Sequence, residues 1–298
     1  MMEMTELENF NQLVELAMVE NGLGHMRPVV AKELLHYDIL FALDKEKILD
    51  TLTFQGGTSL RLCYGSPRFS EDLDFVGDRD FSSKKLIDIK QCIEDYIGNR
   101  YGLDVDVKEP HEITASLKHA DIKVEKWQVR ITTSPERRDM PKQKIKIEIA
   151  NVPAYSRVPQ ALKKNYEFLP DGYEDMLVLV ESLDEVMADK IVSFVACQRY
   201  VRHRDIWDLR WLKQQGAVLN IDYVSSKIKD YKVNRYQETV IKMIDRLPDI
   251  INGKPFIDEI SRFIPMNIQE RTLKKPHFLD HLNSETTALL KEVHNLLT

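Results

Sequence analysis

The stretch FQGGTSLRLCYGSPRFSEDLDF, Phe54 to Phe75, carries the reading of the whole chain. A short apolar run ends in Gly56-Gly57, and Thr58 and Ser59 open about two turns of helix-compatible sequence. Asp72 and Asp74 then flank Leu73. A strand, a double glycine and a helix start together form an anion site. Glycine lets a ligand approach the main chain, and the first helical N–H groups point at it. Thr58 and Ser59 add hydroxyl donors. In a strand, Asp72 and Asp74 point to one face while Leu73 and Phe75 point to the other. Two carboxylates so close repel unless a cation lies between them, and hard oxygen ligands suit Mg2+ or Mn2+, which are commonly shared with substrate phosphates. Phosphate cradle and metal carboxylates together point to a nucleotide.

Working outward, Leu7 to Ala17 and Val30 to Leu40 repeat apolar residues at helical spacing. Lys84 to Tyr101 reads as an amphipathic helix. LDVDVKEP, DIKVEKWQVRITT and QKIKIEIANV alternate polar with apolar, as half-buried strands do. LVLV at 177–180 reads as a further strand. From Ser182 the pattern is helical, with Ser182 as N-cap and Glu185 as its capping-box partner. After Gly216 it stays helical, with breaks expected near Pro248, Gly253, Pro265 and Pro276. The expected architecture is α+β. A nucleotide-handling domain over 1–155, with a mixed, mostly antiparallel sheet flanked by helices, precedes an all-helical domain over 156–298 that completes the site.

The chain has 298 residues, 43% of them hydrophobic and 30% charged, which predicts a folded protein rather than a disordered one. No apolar run is long enough to span a bilayer, and the acidic start lacks the layout of a signal peptide. Cys63, Cys92 and Cys197 are odd in number and far apart, so neither a disulfide frame nor a zinc site is expected. A reducing cytoplasm is the expected compartment. The net charge of −6 argues against a generic nucleic-acid coat protein, yet residues 118–164 hold 12 Lys/Arg against 5 Asp/Glu. That basic stretch reads either as a face for phosphate or an acidic partner, or as a solvated lysine-rich strand surface.

A neighbouring strand can add a third carboxylate to such a metal pair. On QKIKIEIA, Ile145, Ile147 and Ile149 face one way and Lys144, Lys146 and Glu148 the other, so Glu148 is a candidate. A solvent-facing Glu paired to lysine across the sheet is the alternative. Asp104 and Asp106 repeat the D-x-D form without the glycine turn and read as an exposed strand face. Lys190 stands in a largely apolar helix, and a buried ammonium needs an anion. Asp205 and Asp208, three apart in RHRDIWDLRWL, share a helix face, where one can orient Lys190 or contact the nucleotide; a helix N-terminal anion and a surface ion pair are the alternative. Arg68 abuts the D-x-D segment and reads as a phosphate ligand. Ser70 is a further one, and a site where phosphorylation would block nucleotide binding.

Glycine-glycine ahead of two metal aspartates resembles the DNA polymerase beta-like nucleotidyltransferase superfamily. The fuller GGTSLRLCYGSPRFSEDLDF, with 14 residues between Gly57 and Asp72, more specifically resembles the AbiEii/AbiGii-type (MenT-like) toxin family. These are nucleotidyltransferases of toxin–antitoxin and abortive-infection systems. Glu148, the Ala188-Asp189-Lys190 setting, and Arg204-Asp205 with Asp208 match the family's later motifs. The resemblance implies catalytic Asp72, Asp74, Glu148, Lys190 and Asp205. It implies nucleotide contacts from Gly56, Gly57, Thr58, Ser59, Arg68, Ser70, Lys190 and Asp208, with metal on Asp72, Asp74 and Glu148. It further implies NMP transfer from an NTP to an acceptor hydroxyl, with RNA (a tRNA 3′ end) as acceptor, translation arrest as effect and a cognate antitoxin as partner. Antibiotic modification and a silent nucleotide-binding regulator remain the other readings.

Overall fold

The computed structural model describes residues 8–21, 23–82, 88–110, 124–136 and 141–298. Parts of four sequence expectations lie outside the described residues: the start of the helical repeat at residue 7, the start of the helix from residue 84, the start of the strand at 121–123 and segments of the basic 118–164 stretch. The chain groups into two compact units. The first takes residues up to Gly65, Phe69–Ala154 and Pro159–Val180; the second takes Ser66–Arg68, Tyr155–Val158 and Glu181–Thr298.

The first unit opens with helices α1 (Phe10–Asn21) and α2 (Arg27–Lys45), followed by strand β1 (Thr53–Gln55) and the short helix α3 (Gly56–Leu62). Strand β2 (Leu73–Val76), helix α4 (Ile89–Tyr101) and strands β3 (Asp104–Lys108), β4 (Val124–Thr132), β5 (Gln143–Ala150), β6 (Val158–Ala161) and β7 (Leu177–Val180) complete the α+β part. The strands form one sheet in the order β3-β4-β5-β2-β1-β7-β6. The β3/β4, β4/β5 and β1/β2 pairs are antiparallel, and β2/β5 and β1/β7 are parallel, so the sheet is mixed and mostly antiparallel.

Alternation in the sequence sets the two faces of this sheet. Ile145, Ile147 and Ile149 of β5 are buried, in line with Val129 and Trp127 of β4 through the pairs Val129↔Ile145 and Trp127↔Ile147. Phe54 and Phe75 stack at 4.9 Å between ring centroids. α2 packs on β5 and α4 on β3. Pro28 starts α2 where a missing N–H costs nothing, and the helix is buried nearly all round. Its buried polar groups are each matched. Asp38 meets Arg100, the Tyr173 hydroxyl at 2.7 Å and the Tyr101 hydroxyl at 2.9 Å. Glu33 accepts from Arg61 at 2.8 and 2.9 Å and from the Tyr166 hydroxyl at 3.0 Å.

The second unit is helical in its long elements: α5 (Leu183–Ala196), α6 (His203–Gln214), α7 (Ile221–Asp230), α8 (Tyr236–Asn252), α9 (Lys254–Ser261), α10 (Met266–Arg271) and α11 (Phe278–Leu297). Three details differ from the sequence reading. The helical pattern from Ser182 is interrupted at Cys197–Arg202, where Cys197 turns extended (ψ 103°) without a glycine or proline to mark it. Pro248 does not break its helix but sits inside α8, which ends one turn later at Gly253. The capping box is half formed: Ser182 Oγ accepts from the Glu185 N–H at 3.3 Å, while the Glu185 carboxylate accepts from the main chain of Tyr155 at 2.8 Å instead of returning to Ser182. Among the described residues, no helix is long and apolar enough to cross a membrane.

Candidate active site

The D-x-D segment lies where the parallel β2/β5 pair meets the glycine turn. Asp74 is in register with Glu148 on one side and with Gln55 on the other. Side chains in register on neighbouring strands share a face, with strands about 4.8 Å apart. Glu148 therefore projects beside Asp74, as the alternation of QKIKIEIA suggested. Asp72 precedes the strand, which begins at Leu73, and is held by its own contacts. The Lys146 N–H donates to Asp72 Oδ1 at 3.0 Å, and Lys146 Nζ lies 3.3 Å from Oδ2.

Main-chain pins hold this segment. The Thr58 hydroxyl donates to the Asp72 carbonyl. His36 Nε2 is 3.0 Å from the Glu71 carbonyl oxygen. Burial drives the His36 pKa down to about 4, against the opposing pull of that carbonyl, Glu33 and Asp72, so the imidazole is neutral at pH 7. Gly56 has φ +78°, a left-handed conformation that favours glycine. A Cβ on Gly56 would meet Asp74 Oδ2 at 2.8 Å and Asp74 Cβ at 3.3 Å. The turn and the carboxylate thus fit together only because this residue has no side chain.

Thr58 and Ser59, expected as phosphate donors, are buried and engaged elsewhere. Thr58 bonds to Asp72 as above, and the Ser59 hydroxyl donates to the Gly56 carbonyl at 2.9 Å. Their observed role is to brace the turn, which leaves main-chain N–H groups as its donors. Ser70 is also buried.

The carboxylates draw positive charge. Lys126 Nζ sits 2.7 Å from Glu148 Oε1. Burial works against the Lys146 ammonium, but Asp72, Glu148 and Asp74 outweigh it and raise its pKa. Both lysine side chains are substantially exposed, 42% for Lys126 and 50% for Lys146. The lysine pairing anticipated as the alternative for Glu148 is therefore present, alongside its register with Asp74. A donor set made of carboxylate oxygens, beside a glycine whose missing Cβ leaves Asp74 Oδ2 its place, fits Mg2+ or Mn2+. Asp104 and Asp106 lie on β3 at the sheet edge and pair with Lys142 at 3.2 Å and Arg130 at 3.8 Å, the exposed face expected of them.

The later motif residues belong to the second unit and form one charge cluster. Lys190 Nζ lies 2.8 Å from Asp205 Oδ1 and 2.9 Å from Asp208 Oδ2. Arg68 grips Asp208 with two bonds of 2.7 Å, and Arg202 and Ser193 bind Asp205. Burial alone would raise both aspartate pKa values, but Lys190 with Arg202, and Arg68 with Lys190, hold them below the ordinary carboxylate range. Lys190 was expected to find its anion in a triphosphate; Asp205 and Asp208 provide one within the protein. Arg68, expected to reach phosphate, is 2% exposed and committed to Asp208, because a bidentate guanidinium–carboxylate fork is a strong buried pair.

A second cluster has no counterpart in the sequence reading. Lys227 Nζ on α7 lies 2.9 Å from Glu181, 2.7 Å from Glu185 and 2.9 Å from Asp189. The three acids lie within 4.8 Å of one another, a group that can hold a metal ion, but the lysine already supplies the cation. Burial, with the Asp189 charge next, pushes Glu181 well above the ordinary carboxylate range. The spacing 185, 189 was the available signal, since it puts two acids on one face of α5, with Glu181 just ahead of its N-cap; the lysine partner is distant in sequence.

The family profile "Nucleotidyl transferase AbiEii toxin, Type IV TA system" matches residues 38–284. No curated protein matches the sequence. Among solved structures, the nucleotidyltransferase toxin MenT4 from Mycobacterium tuberculosis H37Rv is similar in fold, with TM-score 0.50 and 18% identity over 82% of this chain and 72% of that one. JHP933 from Helicobacter pylori gives TM-score 0.48 at 18% identity, covering 90% of this chain and 93% of that one. A nucleotidyltransferase-titled structure from H. pylori gives 0.46 at 20% identity, covering 90% and 96%. The profile spans the glycine turn, the paired aspartates, Glu148 and the Lys190 cluster, and the chain belongs to the AbiEii nucleotidyltransferase toxin family of type IV toxin–antitoxin systems.

Proposed function

We propose that the protein transfers a nucleoside monophosphate from an NTP to an acceptor hydroxyl, using the face that carries Asp72, Asp74 and Glu148. The observation that carries this reading is the register of Asp74 with Glu148 beside a glycine whose missing Cβ makes room for Asp74 Oδ2. Asp72, Asp74 and Glu148 would hold Mg2+ or Mn2+, which when bound supplies charge for the triphosphate and acidifies the attacking hydroxyl. Glu148 would take the acceptor's proton as the acceptor oxygen attacks the α-phosphorus and pyrophosphate leaves. Glu148 must first release Lys126 to do so. Main-chain N–H groups at Gly56 and Gly57 would bind phosphate oxygens, with Thr58 and Ser59 holding the turn. Ser70 is a further candidate beside this segment, and Lys190, held by Asp205 and Asp208, is a further candidate in the second unit.

The family resemblance implies RNA, a tRNA 3′ end, as acceptor, translation arrest as outcome and an antitoxin as partner. The test incubates the protein with total RNA, Mg2+ and each labelled NTP in turn. Label moving into a discrete RNA species with one NTP supports the reading. No transfer to RNA from any NTP, with the protein folded, refutes the RNA acceptor.

A further inference from the structure

The solvent face of the sheet beside the carboxylates carries five cations, with Asp104 and Asp106 of β3 at its far edge. Alternation places Lys126 and Arg130 of β4 and Lys144 and Lys146 of β5 on it, with Lys108 of β3. The register pairs Lys126 with Glu148, Gln128 with both Lys146 and Lys108, and Arg130 with both Lys144 and Asp106. Charge thus runs away from Asp74 across three strands, on the face opposite the buried Trp127, Val129, Ile145 and Ile147. A row of this length suits a linear polyanion better than a small acid. No aromatic side chain stands among the described β3, β4 and β5 residues of this face, so it offers charge to a backbone and no stacking platform to bases.

The two lysines nearest the site are masked. Lys146 is held on Asp72, and Lys126 on Glu148. Both are half-exposed and free to swing once those carboxylates find another cation. We propose that this face binds the phosphodiester backbone of the acceptor strand, and that Lys126 and Lys146 join it only when a divalent cation takes the carboxylates. Acceptor binding is thereby coupled to loading of the site. The inference rests on the nucleotidyltransferase reading for the identity of the site, and its test reads binding, not transfer.

The coupling has a distinctive sign. Divalent cations ordinarily compete for phosphates and weaken protein–nucleic acid binding. Here, replacing NaCl by MgCl2 at constant ionic strength is expected to tighten binding of a labelled single-stranded oligouridylate several-fold, read by fluorescence anisotropy. The doubly neutralised variant Asp72→Asn/Glu148→Gln is expected to bind as tightly without Mg2+ and to lose the response. Lys126→Gln/Lys146→Gln is expected to stay weak in both salts, with a salt slope shallower by about 0.7 per lost contact. Lys144→Gln should weaken both states alike and keep the response. The deoxy oligomer should match the ribo oligomer. Weakening of wild-type binding by Mg2+, a normal Mg2+ response in Lys126→Gln/Lys146→Gln, or binding confined to the ribo oligomer overturns the proposal. Loss of the Mg2+ response with intact NMP transfer removes this inference alone, whereas absence of transfer removes the function reading and leaves the binding result standing.

Discussion

Substituting Gly56 by alanine separates the architecture of the site from the stability of the fold. Gly56 has φ +78°, so a Cβ there meets the left-handed penalty of about 1–2 kcal/mol. Gly65 has φ +81° and nothing within 4 Å of a Cβ, so Gly65→Ala carries the same backbone penalty alone. In Gly56→Ala the new methyl meets Asp74 Oδ2 at 2.8 Å, and the carboxylate must move by several tenths of an ångström. Displacement of a catalytic group on the order of 1 Å costs about 100-fold in rate. Both variants should therefore unfold a few degrees below wild type. Gly65→Ala should keep NMP transfer, while Gly56→Ala should lose about 10- to 100-fold. The assay is transfer from a labelled NTP, alongside thermal unfolding followed by circular dichroism. Equal activity in the two alanine variants would refute the claim that the glycine turn sets the position of Asp74.

Three further outcomes follow from buried charge. Asp208→Ala leaves Arg68 and Lys190 without their shared carboxylate, and removing one member of a buried ionic cluster costs about 3–5 kcal/mol; a loss below about 1 kcal/mol in denaturant titration would contradict the buried-pair account. Lys227→Met strands Glu181, Glu185 and Asp189 together, and its destabilisation should be similar and should shrink on acidification as the carboxylates protonate. His36 is neutral when folded, with its pKa lowered from 6.5 to about 4, so the unfolded chain binds the extra proton first as pH falls. Stability from this group is full above about pH 6.5 and is lost progressively toward pH 4, by about 3 kcal/mol in all. His36→Gln should flatten that part of the stability profile, and an unchanged acid limb would count against it.

Much of the first unit was legible because its signals are local. The period-2 pattern of QKIKIEIA fixes which side of β5 is buried, and that alone puts Glu148 on the polar face. The Gly-Gly turn and D-x-D are contiguous, and the register of β2 with β5 brings Glu148 to them. Partners distant along the chain were not legible. Lys190 was read as needing an anion and one of Asp205 and Asp208 as able to orient it, but nothing local showed that both carboxylates would meet it. The break at Cys197–Arg202 that separates their helices carries no glycine or proline. Arg68 adjoins the D-x-D segment in sequence, so proximity suggested phosphate, while the fold commits it to Asp208. Thr58 and Ser59 have the chemistry of phosphate donors, but their hydroxyls bind the Asp72 and Gly56 carbonyls. β6, VPQA, buries none of its residues, so no apolar alternation reveals it.

The central claim is that Asp74 and Glu148 act together on one face of the sheet. Its most direct test measures NMP transfer from labelled NTP by Asp74→Asn, Glu148→Gln and the double variant, each verified as folded by its unfolding midpoint. Groups that act as a unit are non-additive. Each single variant is expected to lose at least about 100-fold, and the double variant to lose little more than either one. Full transfer by either single variant, or losses that multiply in the double, would contradict the account.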